Sequence, residues 1–184
     1  MAETSTPAAP TPAAGHPAAG HPDAGRFFDF PNPVNETSAR VVATGVVAMA
    51  ATAVLADQPW LTVPLVYGFA ARVATGPRLS PLGRLATEVV TPRIRTEHRF
   101  SPGPPKRMAQ AIGLTMSGTA LLLHYRYGRT RAAKAVLAAL AGAAGLEAGL
   151  GLCLGCKLFQ LGMRVGVVPP SVCEECNDIW ARYS

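Results

Sequence analysis

The four cysteines of the chain form two C-x-x-C pairs, Cys153 with Cys156 and Cys173 with Cys176, and sixteen residues separate the pairs. Two thiols at this spacing can close a disulfide or bind one metal ion. Two such pairs can pass two electrons by thiol–disulfide exchange, or supply the four thiolates of a zinc site.

The segment between the pairs, KLFQLGMRVGVVPPSV, is apolar and resembles the end of a helix followed by a short return. Zinc sites with this cysteine spacing usually enclose polar, turn-rich sequence, so we favour dithiol chemistry. A tetracysteine zinc site is the alternative interpretation. A third is that the cysteines are ordinary buried or unpaired residues, because free cysteine is common in apolar interiors.

The two pairs are predicted to differ in reactivity. Cys153 and Cys156 are expected on one face of a membrane helix, near its C-terminal end, where the helix dipole disfavours a thiolate. Cys173 follows Pro-Pro-Ser-Val and is expected in the first turn of a new helix, exposed and more readily ionised, although Glu174 and Glu175 oppose ionisation. A soluble partner should therefore react with Cys173 first.

Glu147 is the other candidate site residue. A carboxylate inside a membrane helix is costly and usually faces a partner or a water-filled path. Pairing with Arg72 or Arg40, or protonation, would make its role structural. Because Glu147 and Cys156 are nine residues apart, one continuous helix would place them on opposite faces, which favours the structural role.

Composition points to a membrane protein. Of 184 residues, 49% are hydrophobic and only 15% are charged, which is apolar for a soluble protein of this size. The net charge of +6 comes from short basic clusters between apolar runs. This pattern is typical of loops at a lipid bilayer, and it does not favour nucleic acid as a partner.

The predicted fold class is all-α: a four-helix transmembrane bundle with a short interfacial helix. Residues 1–25, rich in Ala, Pro and Gly, are expected to form a disordered tail, and residues 26–184 to form one membrane domain. Its spans are predicted at about residues 37–56, 59–76, 108–125 and 132–156. DQPW marks a turn between the first two spans, Asn35 and Ser38 offer helix caps, and Phe27, Phe28 and Phe30 suit a membrane interface.

The connection between the second and third spans contains SPLGRLATEVV. A Ser cap and a Pro at the first helical position predict a short helix, with Leu82, Leu85, Ala86 and Val89 on one face that lies in the interface. With both termini in the cytoplasm, thirteen basic residues lie inside and four outside. The positive-inside rule favours this orientation of a multi-pass cell-membrane protein.

Several strings carry a family resemblance, including FDFPNPVNE, TGPRLSPLGRLATEVVTPR, PGPPKRMAQAIG and GLCLGCKLF. Across about residues 26–180 the chain resembles a bacterial integral membrane family known as domain of unknown function 4395. The resemblance implies a small multi-span protein with a thioredoxin-like protein or a sulfurtransferase as partner, and it supplies no catalytic residue.

The functional expectation is a membrane thiol oxidoreductase that relays electrons through Cys153, Cys156, Cys173 and Cys176. A scaffold with structural zinc and a small transporter are the alternatives. Zinc is the one cofactor that the cysteine spacing suggests.

Overall fold

A computed structural model of the chain describes residues 30, 32–94, 100–173 and 176. The predicted tail (residues 1–25), Phe27, Phe28, Glu174 and Glu175 lie outside these residues. The described part is mostly helical, and its α-helices are α1 (Glu36–Leu55), α2 (Thr62–Thr75), α3 (Pro81–Arg84), α4 (Gly103–Tyr125), α5 (Thr130–Leu150) and α6 (Leu154–Arg164). Two short antiparallel strands, β1 (Val34–Asn35) and β2 (Phe100–Ser101), join the start of α1 to the start of α4.

Helix α1 runs from Glu36 to Leu55, where the sequence predicts a span at about residues 37–56. Ser38, predicted as a cap together with Asn35, lies inside the helix, and its hydroxyl pairs with that of Thr91 at 2.8 Å. The Asn35 side chain accepts a hydrogen bond from the backbone N–H of Thr37 at 2.9 Å and so satisfies a free donor at the helix start. After Leu55 the chain turns through Asp57, which has a φ of 53°, into a 3-10 helix at Pro59–Leu61. The rigid φ of proline suits this position, where α2 must begin in a new direction.

The long helices pack in the order α1, α5, α4, α2, and α6 packs on α4. The core between them is Val46, Ala50, Ala53, Leu65, Phe69, Ala120, Ala133, Leu137 and Leu140. Four of these residues are alanines, which let helix backbones approach closely. Gly113 has the same effect, because a Cβ there would occupy the space of the Phe69 ring.

Contacts at the helix ends show that neighbouring helices are antiparallel. Lys134 at the start of α5 pairs with Asp57, which follows α1, at 2.8 Å. At the other end, the start of α4 contacts the ends of both α2 and α5. One end of the bundle therefore holds the starts of α1 and α4 and the ends of α2 and α5. We call it the cysteine end, because α6 and its two cysteines follow α5 there.

The predicted interfacial helix forms in part, but its four apolar residues do not share one face. Ser80 caps α3 as predicted, by accepting from the Gly83 N–H at 3.2 Å. Residues 85–90 then form a π-helix, whose wider turn breaks the 3.6-residue period that the prediction assumed. As a result Ala86 is buried and Leu82 packs against the core, whereas Leu85 and Val89 are exposed.

Two helices, α1 and α5, are long and apolar enough to cross a membrane. Helix α2 has 14 residues, fewer than predicted for a span, because a 3-10 turn precedes it. Helix α4 has 23 residues, but its first turns include Lys106 and Arg107. The fourth predicted span, 132–156, is also corrected, because α5 ends at Leu150.

Candidate functional site

The end of α5 determines where the first cysteine pair lies. Gly151 has a φ of 70°, a left-handed conformation that glycine adopts without strain, and α5 stops one residue before it. Arg40 of α1 donates from Nη2 to the Gly149 carbonyl at 2.6 Å and from Nε to the Ala148 carbonyl at 3.2 Å. These bonds satisfy carbonyls that the helix end leaves free.

The predicted position of Cys153 and Cys156 on a continuous membrane helix is therefore wrong. Cys153 is the N-cap of α6, and Cys156 lies in the first turn of α6. A helix N-terminus favours negative charge, so the dipole acts on this pair in the opposite sense to the predicted one. The sequence GLGLCLGC offers apolar residues on both sides of the break, and its periodicity alone does not reveal it.

Close packing of α6 on α4 positions the pair. A Cβ at Gly155, between the two cysteines, would lie 2.5 Å from the Cα of Ala109, so only glycine allows this approach. Phe159, one turn further along α6, is buried. Cys153 is 8% exposed and Cys156 is half-buried, and both are free thiols.

An ion pair lies beside these thiols. Lys106 of α4 donates from Nζ to Glu147 Oε1 of α5 at 2.6 Å, and both side chains are largely buried. Lys106 therefore replaces the predicted partners of Glu147, Arg72 and Arg40. Both Lys106 and Glu147 are close enough to act electrostatically on Cys153 and Cys156. Glu147 and Cys156 do not lie on opposite faces of one helix, as the sequence predicts, because α5 ends at Leu150 and α6 begins at Leu154.

The two thiols differ in pKa, chiefly because hydrogen bonding from Cys156 acts on Cys153. The Cys156 side chain stabilises a Cys153 thiolate through this bond and lowers the pKa of Cys153, with Lys106 acting in the same direction against burial and Glu147. The same bond and burial raise the pKa of Cys156 well above that of a free thiol. The pKa of Cys153 is therefore the lower of the two, so Cys153 ionises before Cys156.

The second pair is oxidised. Cys173 and Cys176 form a disulfide with a Cα–Cα distance of 5.3 Å. A 3-10 helix, Pro170–Val172, precedes Cys173, where the sequence predicts the first turn of a new α-helix. Cys173 is 5% exposed whereas Cys176 is half-buried, so the predicted accessibility of Cys173 is corrected.

The alternative zinc site requires all four cysteines in one place. Within residues 30, 32–94, 100–173 and 176, no group of three or more His, Cys, Asp or Glu side chains is arranged to hold a metal ion. The disulfide also removes Cys173 and Cys176 as thiolate ligands. This conformation therefore presents two separate cysteine pairs.

Sequence reasoning missed two functional contacts. Lys106 lies 41 residues from Glu147 along the chain, and Arg40 lies more than 100 residues from the carbonyls that it caps. Both contacts join different helices, and no local pattern predicts them. The only feature that marks Lys106 in the sequence is its position directly before an apolar run. A basic residue at the edge of a membrane span has the same position, so this feature does not predict an ion pair.

The fold and site define a mostly helical protein with two helices long and apolar enough to cross a membrane, and with two free thiols, one buried and one half-buried, at one end of its bundle. The chain belongs to the family described as domain of unknown function 4395, which it matches over residues 34–164. The match includes Cys153 and Cys156 but ends before Cys173. No match was found among curated proteins or solved structures.

Proposed function

We propose that this protein is a membrane thiol–disulfide relay that exchanges electrons with a soluble thioredoxin-like protein or sulfurtransferase. The observation that carries the proposal is the difference between the two pairs. Cys173 and Cys176 are joined as a disulfide, whereas Cys153 and Cys156 are free thiols, and the buried one, Cys153, has a lowered pKa. One chain thus holds an electron acceptor and an electron donor of the same chemistry.

The exchange balances within the chain. The Cys153 thiolate attacks one sulfur of the Cys173–Cys176 disulfide, whose S–S bond breaks as a mixed disulfide forms. Cys156 then loses its proton and attacks the Cys153 sulfur, which releases the second pair as a dithiol. Two electrons pass from the first pair to the second together with the proton of Cys156, and a second proton from water completes the new dithiol; the reverse sequence carries the electrons back.

The chain between the pairs is long enough for them to meet. Helix α6 carries the backbone about 14 Å from Cys156 to Val165, at about 1.5 Å per residue. The eight residues from Val165 to Val172 can span about 26 Å when extended. Several side chains in this connection are exposed, among them Val165, Val167 and Val172. The connection can therefore return the second pair to the first.

Exposed apolar surface supports the membrane location. In the apolar stretches of α1 and α5 only 28% and 22% of the residues are buried inside the protein, although a soluble core helix buries most of its surface. Helix α6 exposes Leu154, Leu158, Leu161 and Val165, which share one face. That face suits a helix lying in the membrane interface.

We propose that the four spans are α1, α2 with the 3-10 turn Pro59–Leu61 that precedes it, the part of α4 after Arg107, and α5. We also propose that both termini and the cysteine end are cytoplasmic. Disulfides in the cytosol are usually transient and catalytic, which fits a relay. Single cysteines in a cysteine-free variant, at the exposed positions Glu88 and Arg126, should distinguish the two ends of the bundle. An impermeant maleimide added to intact cells should label the Arg126 position at once and the Glu88 position only after the membrane is permeabilised. Labelling of the Glu88 position alone would reverse the orientation, and equal labelling of both in intact cells would contradict the four-span arrangement.

The relay itself is tested by oxidising the reduced protein with an oxidised thioredoxin-like protein and counting thiols by alkylation and mass spectrometry. In the wild type, disulfide should appear in both pairs. In a Cys173→Ser/Cys176→Ser variant, Cys153 and Cys156 should stay reduced over the same time, because Cys153, the thiol of the pair whose pKa is lowered, is buried and in a relay the partner exchanges electrons with the first pair only through the second. Equally fast oxidation in this variant would refute the relay, as would one stoichiometric zinc bound by all four cysteines.

A further inference from the structure

A cavity of about 250 Å³ lies at the cysteine end of the bundle, between the starts of α1 and α4, the end of α2 and the residues that follow Ser80. Its walls are mostly apolar and include Phe30, Pro33, Val42, Pro77 and Phe100. Two cations, Arg72 and Lys106, line it together with Gln110. The cavity is partly open to the surface, so a ligand can enter without unfolding the bundle.

Arg72 is buried with neutral partners alone. It is 5% exposed, and it donates from Nε to Gln110 Oε1 at 2.8 Å and from Nη1 to Ser80 Oγ at 3.0 Å. Its guanidinium carbon also lies 4.6 Å from the centre of the Phe69 ring. Among the described residues Nη2 makes no hydrogen bond, and no carboxylate contacts Arg72.

Lys106, the other cation at the cavity wall, does not neutralise the charge of Arg72. Lys106 is already paired with Glu147, so the cluster of Arg72, Lys106 and Glu147 carries one net positive charge at the wall of an apolar cavity. A buried charge without an opposite charge is costly. A guanidinium with a free N–H also presents good geometry for an acidic oxygen.

We propose that this cavity binds an amphiphile with a singly charged acidic headgroup, a carboxylate or phosphate ester, whose oxygen accepts from Arg72 and whose chain lies along the apolar walls. The volume is smaller than that of a typical drug-sized site. It therefore holds the headgroup and the first part of one chain, and the rest extends through the open side. This inference is independent of the thiol relay, because it uses no cysteine.

The test uses the full chain in phosphatidylcholine nanodiscs and a photoactivatable dodecanoic acid, with the labelled peptides identified by mass spectrometry. Label should concentrate on the wall peptides around Val42 and Thr87. Excess dodecanoate should suppress it, whereas dodecanol, acetate and inorganic phosphate at the same concentration should not. Arg72→Gln should reduce labelling about tenfold, the loss expected for a hydrogen bond between charged groups, and Arg126→Gln at the far end of α4 should leave it unchanged.

A second variant tests whether the cavity itself is needed. Ala39→Phe fills the cavity from α1 and leaves the Arg72 residue unchanged. It should abolish the label while its thermal unfolding midpoint stays close to that of the wild type, which shows that the site and not the fold is lost. The proposal is overturned by wild-type labelling in Arg72→Gln, or by label spread evenly over exposed helix faces. Equal competition by dodecanol would show that the acidic group is not recognised. Equal competition by phosphate or acetate would show that the site takes a small anion and that the chain contributes nothing.

Discussion

Lys106→Met is expected to destabilise the protein by about 3–5 kcal/mol, the usual cost of leaving one member of a buried ion pair without its partner. Methionine fills similar space, so the loss comes mainly from the uncompensated carboxylate of Glu147, which accepts the Lys106 hydrogen bond at 2.6 Å. Thermal unfolding in detergent should show a midpoint about 10 °C lower than that of the wild type.

The double variant Lys106→Met/Glu147→Leu should recover most of this stability, because it removes both charges and leaves an apolar contact. Lys134→Met is the matched control. Lys134 also forms an ion pair, with Asp57, but Asp57 is 72% exposed, so its removal should cost less than about 1 kcal/mol. If Lys106→Met and Lys134→Met have the same unfolding midpoint, Lys106–Glu147 does not hold the helices together.

The pair also predicts a change in thiol chemistry. The Cys156 hydrogen bond chiefly, and Lys106 in addition, lower the pKa of Cys153. In the double variant the lysine and its opposing carboxylate are both absent, so their effects on Cys153 largely cancel. In Lys106→Met only the positive charge that stabilises the Cys153 thiolate is lost, and the carboxylate of Glu147 that opposes ionisation remains. The pKa of Cys153 should then rise and its alkylation should begin at a higher pH in the single variant than in the double variant.

The parts of the fold that depend on local chemistry could be predicted from the sequence. Asn35 and Ser80 cap helices where predicted, because each side chain bonds backbone donors within a few residues. The turn after Leu55 follows from Pro59 in the same way. Apolar runs predicted both ends of α1 and the start of α5 to within about two residues. They did not predict where α5 ends.

Features that depend on contacts between helices could not be predicted. The stop at Leu150 combines the left-handed Gly151 with the Arg40 contact from α1. Gly149 and Gly155 lie nearby and offered equal signals in the sequence. The composition of the candidate site was predictable, because the spacing identifies the cysteines. Its geometry was not, because Lys106 reaches Glu147 and the thiols only after α4, α5 and α6 have packed.

Cys173→Ser, in a chain whose first pair is also replaced by serine so that it cannot resolve the adduct, is expected to accumulate a mixed disulfide between Cys176 and a thioredoxin-like partner. Cys176 is half-buried and accessible to a partner, whereas Cys173 is 5% exposed. When the reduced pair attacks an oxidised partner, Cys176 reacts first and Cys173 resolves the adduct. Replacing Cys173 removes the resolving thiol, so the adduct persists. Non-reducing electrophoresis and mass spectrometry of the linked peptides measure it.

Cys176→Ser is the matched control, because it leaves one thiol in the same segment at the buried position. It should form at least about tenfold less adduct, since exchange rates depend on access to the attacking sulfur. Cys153→Ser should not trap the partner, because Cys173 and Cys176 together resolve the adduct as in the wild type. More adduct in Cys176→Ser than in Cys173→Ser would show that Cys173 is the attacking thiol, as the sequence predicts.

A shared structural metal site predicts a different result. In that case neither variant forms an adduct, and all four Cys→Ser changes lower the yield of folded protein equally, because each ligand of the site contributes to folding.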